Sequence, residues 1–377
     1  MANSDRRTFL KAAGSSVALQ RLATSQAAPL SAEQRVFLTG DGVNLSPAEY
    51  AELLTTLTAS DAKADAYLKG AAVEEIEGRF AKLLGKERAL FFPTGTLANH
   101  VAVRLLAGER RHVLVQAESH LYRDEGDCAQ ALSGLNLVPL APGRATIKAS
   151  EIVEAVEQAG SPPYPVPVGA ISIESPVRRS NGQAFDFEEM KKISLFAREK
   201  KIGMHLDGAR MYLASAYTGI APATYSALFD TVYVSLYKYF NAPFGAMLTG
   251  PAPLIEAAMI LRHQFGGALL HAWESTAVAL HYLDGFEERY QRAARSGEEV
   301  LRRLEQNKIR VHRWEAGTNI FQLEFPSTPD AGFQKRLADR GIMMRVAAQG
   351  LTSIQVNETI LRRSPQEIAE EIVKALG

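Results

Sequence analysis

The chain is poor in several things. Of its 377 residues one is a cysteine, Cys128, so no intramolecular disulfide forms, and no Cys/His cluster has the spacing of a zinc site. Net charge is also lacking: 42 Lys plus Arg balance 42 Asp plus Glu, leaving no broad basic field to recruit nucleic acid or anionic lipid. Long hydrophobic runs are absent too, since no apolar stretch reaches the ~18 residues a membrane span needs. A small-molecule partner is what these absences leave, and the length is ample for a large α/β domain with a smaller one appended.

The first thirty residues do not read as part of a fold. "DRRTFLKAAGSSVALQ" carries Arg6 and Arg7 ahead of a short, weakly apolar run, and "SQAAPL" at 25–30 offers small residues for cleavage. The pattern resembles a twin-arginine export signal, an address read by a receptor. It implies a periplasmic protein exported already folded, whereas a merely disordered N-terminus would leave the protein in the cytoplasm. Three stretches are therefore expected: 1–30 as signal or disordered tail, 31–255 as a large domain, and 256–377 as long helices with a small α+β domain.

From about residue 70 helical and strand signals alternate. "AAVEEIEGRFAKLLG" keeps Val73, Ile76 and Phe80 on one face, "RALFFPTG" reads as a buried strand and "TLANHVAVRLLAG" as the next helix. "RHVLVQ", "LNLVPLA", "VGAISIES", "IGMHLDG" and "DTVYVSLYKYF" continue the strands, which predicts βαβ units and a mostly parallel sheet covered on both faces. Beyond 250, "PAPLIEAAMILRHQFGG" and "HAWESTAVALHYLDGFEERYQRAARSGEEVLRRLEQNK" read as two long helices. "IRVHRW", "TNIFQLEF" and "IMMRV" read as short strands, and "SPQEIAEEIVKAL" as a capped final helix.

Ligands of open parallel sheets gather outside the carboxyl ends of the strands, and four segments put polar residues there. Thr94, Gly95 and Thr96 stand where a strand becomes a helix and could cradle a phosphate, although a hydroxyl there also makes an ordinary N-cap. His120 follows "RHVLVQ". Asp207 ends an apolar strand, where a carboxylate is costly to bury without a cationic partner or several hydrogen bonds. Lys238 follows "DTVYVSL" in apolar surroundings that favour its neutral, nucleophilic form. Phosphate cradle, stacking ring, carboxylate and amine together are what pyridoxal 5'-phosphate requires: the lysine takes the aldehyde, and the carboxylate keeps the pyridine nitrogen protonated.

In order and separation, "FFPTGTLANHVAV", "ESHLYRDEG", "HLDGARMYLA" and "VSLYKYFNAPFGAML" resemble the threonine aldolase and β-eliminating lyase family of fold-type I pyridoxal phosphate enzymes, from about residue 34 to the C-terminus. The resemblance implies that Lys238 carries the cofactor, Asp207 binds the ring nitrogen and His120 stacks on the ring and accepts the substrate's hydroxyl proton. It further implies that Gly95 and Thr96 bind phosphate, that Arg210 lies near cofactor and substrate carboxylate, and that the protein forms homodimers or homotetramers. The implied reaction is aldol cleavage of a 3-hydroxy amino acid to glycine and an aldehyde. β-Elimination, racemisation and a catalytically silent binding protein are the alternatives.

This chain also departs from the family. Gly40 in "FLTGDGV" stands where the family has a serine in "LRSDT", and "TSIQVNE" at 352–358 stands where many members have an arginine in "RLVTH". Glu174-Ser175-Pro176-Val177 replaces Glu-Asn-Thr-His. A neutral side chain cannot replace a bidentate guanidinium, so the substrate carboxylate needs another cation, with Arg345, Arg178 and Arg179 as candidates.

Overall fold

A computed structural model describes residues 34–59, 63–347 and 350–377; Arg6, Arg7 and the stretch 25–30 lie outside the described residues. Twelve strands follow in chain order: β1 (Val36–Phe37), β2 (Arg88–Phe92), β3 (His112–Gln116), β4 (Asn136–Leu140), β5 (Val168–Glu174), β6 (Gly203–Asp207), β7 (Thr231–Ser235), β8 (Ala246–Gly250), β9 (Arg310–His312), β10 (Ile320–Glu324), β11 (Ile342–Met343) and β12 (Thr352–Gln355). Seven of them make the central sheet in the order β2-β8-β7-β6-β5-β3-β4. Only β8 runs against the rest, so the sheet is mostly parallel, as the alternation of elements predicts.

Every residue of β5 and β7 is buried, which is why these strands read as unbroken apolar runs. Helices cover both faces. On one face the helix Gly95–Ala107 packs Ala98, Val101 and Ala102 against Leu90, Tyr233 and Leu248. On the other, the helices Ala71–Leu83 and Phe187–Lys200 bury Phe80, Met190 and Ile193 in the main core. Strand alternation sends His205 and Asp207 of β6, and Tyr233 of β7, to the face beneath Gly95–Ala107.

Beyond β8 the predicted second long helix is two helices, Trp273–Leu283 and Phe286–Gln306. Gly285 between them has φ +63°, a left-handed turn that a continuous helix does not contain. The sheet β12-β10-β9 is antiparallel, and Ser364 caps the last helix, Pro365–Leu376, by accepting from the Glu367 N–H. β1 pairs in parallel with β11, which ties residues 36–37 to the C-terminal part and carries the following segment toward the carboxyl ends of the central strands.

Candidate active site

Register aligns the site. Glu174 of β5, Asp207 of β6 and Tyr233 of β7 are direct neighbours across three parallel strands, Glu174 and Asp207 being the last residues of theirs. Asp207 is buried; its Oδ1 accepts the Ala209 N–H at 3.1 Å and its Oδ2 accepts from Asn99 Nδ2 at 2.9 Å. Asn99 projects from Gly95–Ala107, and its Nδ2 also donates to Glu125 Oε1 at 2.9 Å. Its Oδ1 lies 3.0 Å from His205 Nε2, while His205 Nδ1 meets Thr231 Oγ1 at 2.9 Å. Burial pushes the His205 imidazole down to about 4, so it is neutral. With Nε2–H donating to Asn99 and Nδ1 accepting from Thr231, each polar atom in this relay has a partner.

His120 begins a short helix, His120–Arg123, whose first N–H donates to Glu174 Oε2 at 2.6 Å. Its side chain is 32% exposed, with Nδ1 2.9 Å from Glu125 Oε1. That hydrogen bond raises the imidazole above its ordinary value against the opposing effect of burial. Burial likewise raises the carboxyls of Glu125 and Glu174, Glu174 to about 7, with Asp207 adding repulsion in both cases. One atom each of His120, Glu125 and Asp207 lie within 4.8 Å of one another. The spacing of cysteines and histidines in the sequence gives no sign of this cluster, whose geometry would accept a cation. The Asn99 amide already donates to both of its carboxylates, so a single N–H directed at Asp207 suits it at least as well.

Thr94, not Thr96, is the N-cap of Gly95–Ala107, its hydroxyl accepting the Leu97 N–H at 3.2 Å. Gly95 is flush with Tyr233: a Cβ there would stand 2.1 Å from the Tyr233 hydroxyl. Thr96 is half-buried in the same first turn. Lys238 follows β7 and lines a cavity of about 300 Å³ with Asp41, Asn44, Tyr237 and Asn241. Asp207 is the strand neighbour of Tyr233, and Tyr237, one residue before Lys238, sits beside Tyr233, so the acid and the amine flank one pair of tyrosines.

Arg210 is engaged: Nε and Nη2 both lie 2.9 Å from Asp41 Oδ2, and the two side chains are only 11% and 8% exposed. Residues 352–358 do a different job from the family's arginine. Gln355 Oε1 accepts the Gly40 N–H, and Asn357 Nδ2 donates to the carbonyls of Phe37 and Gly40, both at 3.0 Å. They clasp the segment that carries Asp41. Arg345 is exposed on a cavity of about 380 Å³ that shares Asn44 with the Lys238 cavity. Arg178 is exposed, its backbone N–H held by Glu174 Oε1, and Arg179 is paired with Asp124. The structure thus gathers His120 and Asp207 in one network, sets Gly95, between Thr94 and Thr96, against Tyr233 and Lys238 against Tyr237, and leaves Arg178 and Arg345 peripheral.

Sequence reading missed Asn99, Glu125, Glu174 and His205. His205 and Asp207 are two apart on a strand and so share a face. Asn99 stands one helical turn beyond Gly95. Both signals become visible only once the helix is known to lie over that face.

Pyridoxal phosphate fits these residues. Asp207 is buried beside two further carboxylates with only neutral donors on its oxygens, and a protonated ring nitrogen supplies the missing positive partner. A helix N-terminus whose first residue must be glycine would hold the phosphate end, and Lys238 with its cavity would take the aldehyde end.

This chain is built on the fold-type I pyridoxal phosphate scaffold. Residues 50–325 match the beta-eliminating lyase family, and the chain belongs to it. A low-specificity L-threonine aldolase of Candida albicans is 31% identical over 212 residues, 55% of this chain and 56% of that protein. An alanine racemase of Cochliobolus carbonum is 28% identical over 216 residues, 57% of this chain and 55% of that protein. The chain thus spans little more than half the length of these two relatives. A Listeria monocytogenes structure, assigned as an L-allo-threonine aldolase, superposes with a TM-score of 0.76 at 25% identity, covering 91% of this chain and 96% of that one.

Proposed function

We propose that the chain cleaves the Cα–Cβ bond of a 3-hydroxy-α-amino acid, releasing glycine and an aldehyde. The observation that carries this reading is the imidazole of His120 held by Glu125 in one network with Asp207. When bound, pyridoxal phosphate supplies the sink for the electron pair left on Cα. Asp207 keeps a proton on the ring nitrogen, which maintains that sink. The Glu125 carboxylate accepts from Nδ1–H of His120, fixing the tautomer that leaves Nε2 free. Nε2 then takes the β-hydroxyl proton, directly or through a water. The N-terminus of Gly95–Ala107 binds the phosphate. Arg210, half neutralised by Asp41, orients more than it attracts, so Arg345 is assigned the substrate carboxylate, with Arg178 as the other candidate. A dimer or tetramer is supported by the exposed Tyr67 and Leu270, which lie side by side through a backbone hydrogen bond. Arg6 and Arg7 support export to the periplasm; retention of an Arg6→Lys/Arg7→Lys protein inside the cell tests it.

Threonine, phenylserine, serine and alanine enantiomers, assayed for glycine, aldehyde, keto acid and racemised product, test the reaction. Glycine with aldehyde is expected; keto acid with ammonia would replace cleavage by β-elimination. Racemisation is the second reading, supported by the likeness to a racemase, and Cα hydrogen exchange without cleavage would establish it. The holoprotein should carry a near-visible absorption band that borohydride removes and that Lys238→Ala lacks; a band surviving in that variant would move the attachment to another lysine.

A further inference from the structure

Resting on the assignment of Lys238 as the attachment point, a further role falls to its neighbour. The Lys238 Nζ lies 3.3 Å from the Tyr237 hydroxyl and 4.6 Å from the centre of its ring. Asp41, the carboxylate on the same cavity wall, pairs with Arg210 through Oδ2, while its Oδ1 is buried without a hydrogen-bond partner. The Lys238 amine donates to the Tyr237 oxygen, and the Tyr233 phenol, four residues earlier, lies beside it. Tyr233 is fully buried beside Asp207, whereas Tyr237 is 41% exposed. Burial keeps the Tyr233 phenol well above its ordinary value, so it holds its proton. Burial works against ionisation of Tyr237 as well, yet the Lys238 charge and the hydrogen bonds from Tyr233 and Lys238 hold it below its ordinary value. Of the two phenols, the one that touches the amine gives up its proton more readily.

We propose that Tyr237 is a catalytic residue that takes the proton of Lys238, and returns it, whenever the lysine joins or leaves the cofactor. In attachment the Nζ lone pair adds to the aldehyde carbon and the C–O bond breaks. The two protons given up by neutral Nζ leave with that oxygen as water, carried across by the Tyr237 oxygen. No oxidation state changes and no further reactant is needed. When a substrate amine displaces the lysine, the two protons that the neutral incoming amine gives up pass to Nζ across the same oxygen. A role confined to stacking under the ammonium needs only the ring, and phenylalanine keeps it.

Protein stripped of cofactor is mixed with pyridoxal phosphate, and the growth of the borohydride-sensitive band is followed for wild type, Tyr237→Phe, Tyr237→His and Lys238→Ala. The proposal expects Tyr237→Phe to reach the wild-type final band at least about tenfold more slowly, at or below the low end of what a positioned acid–base group supplies. Tyr237→His, which restores such a group, recovers part of the rate. Band growth at the wild-type rate in Tyr237→Phe overturns the proposal and leaves Lys238 as the attachment point. Should Tyr237→Phe not fold, a Tyr237→His rate insensitive to whether its imidazole is protonated overturns it equally. A wild-type protein forming no such band overturns the assignment of Lys238 first, and this proposal with it.

Discussion

Glu125 sets two properties of His120 with one oxygen: it selects the tautomer with Nε2 free, and it raises the imidazole. A base must be unprotonated, so activity is lost as pH falls through the His120 titration, and whatever raises that titration moves the loss to higher pH. Glu125→Gln removes the charge and keeps the Asn99 contact. We expect the acid limb of kcat/KM for aldehyde release to move to lower pH, while His120→Ala loses about 10²-fold or more at the optimum. An acid limb unmoved in Glu125→Gln would show that another group titrates there. Gly95 is a second place where one atom decides. Alanine would put its Cβ against the rigid, buried Tyr233 ring, so the helix end must shift, at about 1–3 kcal/mol. We expect Gly95→Ala to weaken cofactor affinity about tenfold, equivalent to ~1.4 kcal/mol, measured by equilibrium titration of the stripped protein. His120, Asp207 and Lys238 were legible in the sequence because a polar side chain at the end of an apolar run needs a reason. Asn99 and Glu125 were not, because a helical asparagine and a loop glutamate have many ordinary explanations until the fold brings them to one carboxylate.

At the scale of elements, β2 is an edge strand paired only with β8, and two side chains cover its open side: Phe91 N–H donates to Glu77 Oε1 at 2.8 Å, and Arg262 Nη1 donates to Phe91 O at 2.5 Å. Burial raises the Glu77 carboxyl from 4.5 to about 7. The folded state therefore holds this proton more tightly than the unfolded one. Its contribution to stability is complete below about pH 4.5 and is lost as pH rises toward 7. Glu77→Gln keeps an acceptor for Phe91 and has nothing to ionise. We expect the variant to be more stable than wild type by about 1–2 kcal/mol at pH 8, after allowing for partial exposure, and nearly equal to it at pH 4.5. Thermal melts at the two pH values check this, and a pH-independent difference would remove ionisation as the cause. Elements of this size were mostly legible in the sequence, since buried strands and capped helices carry their own periodicity. The break at Gly285 was not: the amphipathic pattern runs through it on both sides, and a lone glycine inside such a pattern is usually tolerated.

At the scale of the whole molecule, the core does not divide where composition changes. Phe80 from before the sheet, Tyr239 and Phe240 from just after Lys238, and Phe286 and Tyr290 from the long C-terminal helix pack ring on ring, with Tyr239–Phe240 at 4.6 Å, Phe240–Phe286 at 5.0 Å and Phe286–Tyr290 at 5.5 Å. Tyr290 then donates to Val356 O at 3.0 Å, and Asn357 next to it clasps the Phe37–Gly40 backbone that leads to Asp41. The backbone on either side of Lys238 is thus braced by residues from both ends of the chain. Composition could not reveal this, because a shift from strands to helices marks a change of element and says nothing about which faces meet. Removing residues 256–377 strips Phe286 and Tyr290 from the aromatic cluster, and each large aromatic removed from a core costs about 3–5 kcal/mol against a total stability of about 5–15 kcal/mol. We expect residues 34–255 produced alone to lack fixed tertiary packing, with no sharp near-ultraviolet circular dichroism and no borohydride-sensitive band. The full chain should melt in one transition that rises in temperature when the cofactor is bound. A fragment that melts cooperatively and takes up the cofactor would show that the sheet and its lysine need nothing from the C-terminal helices.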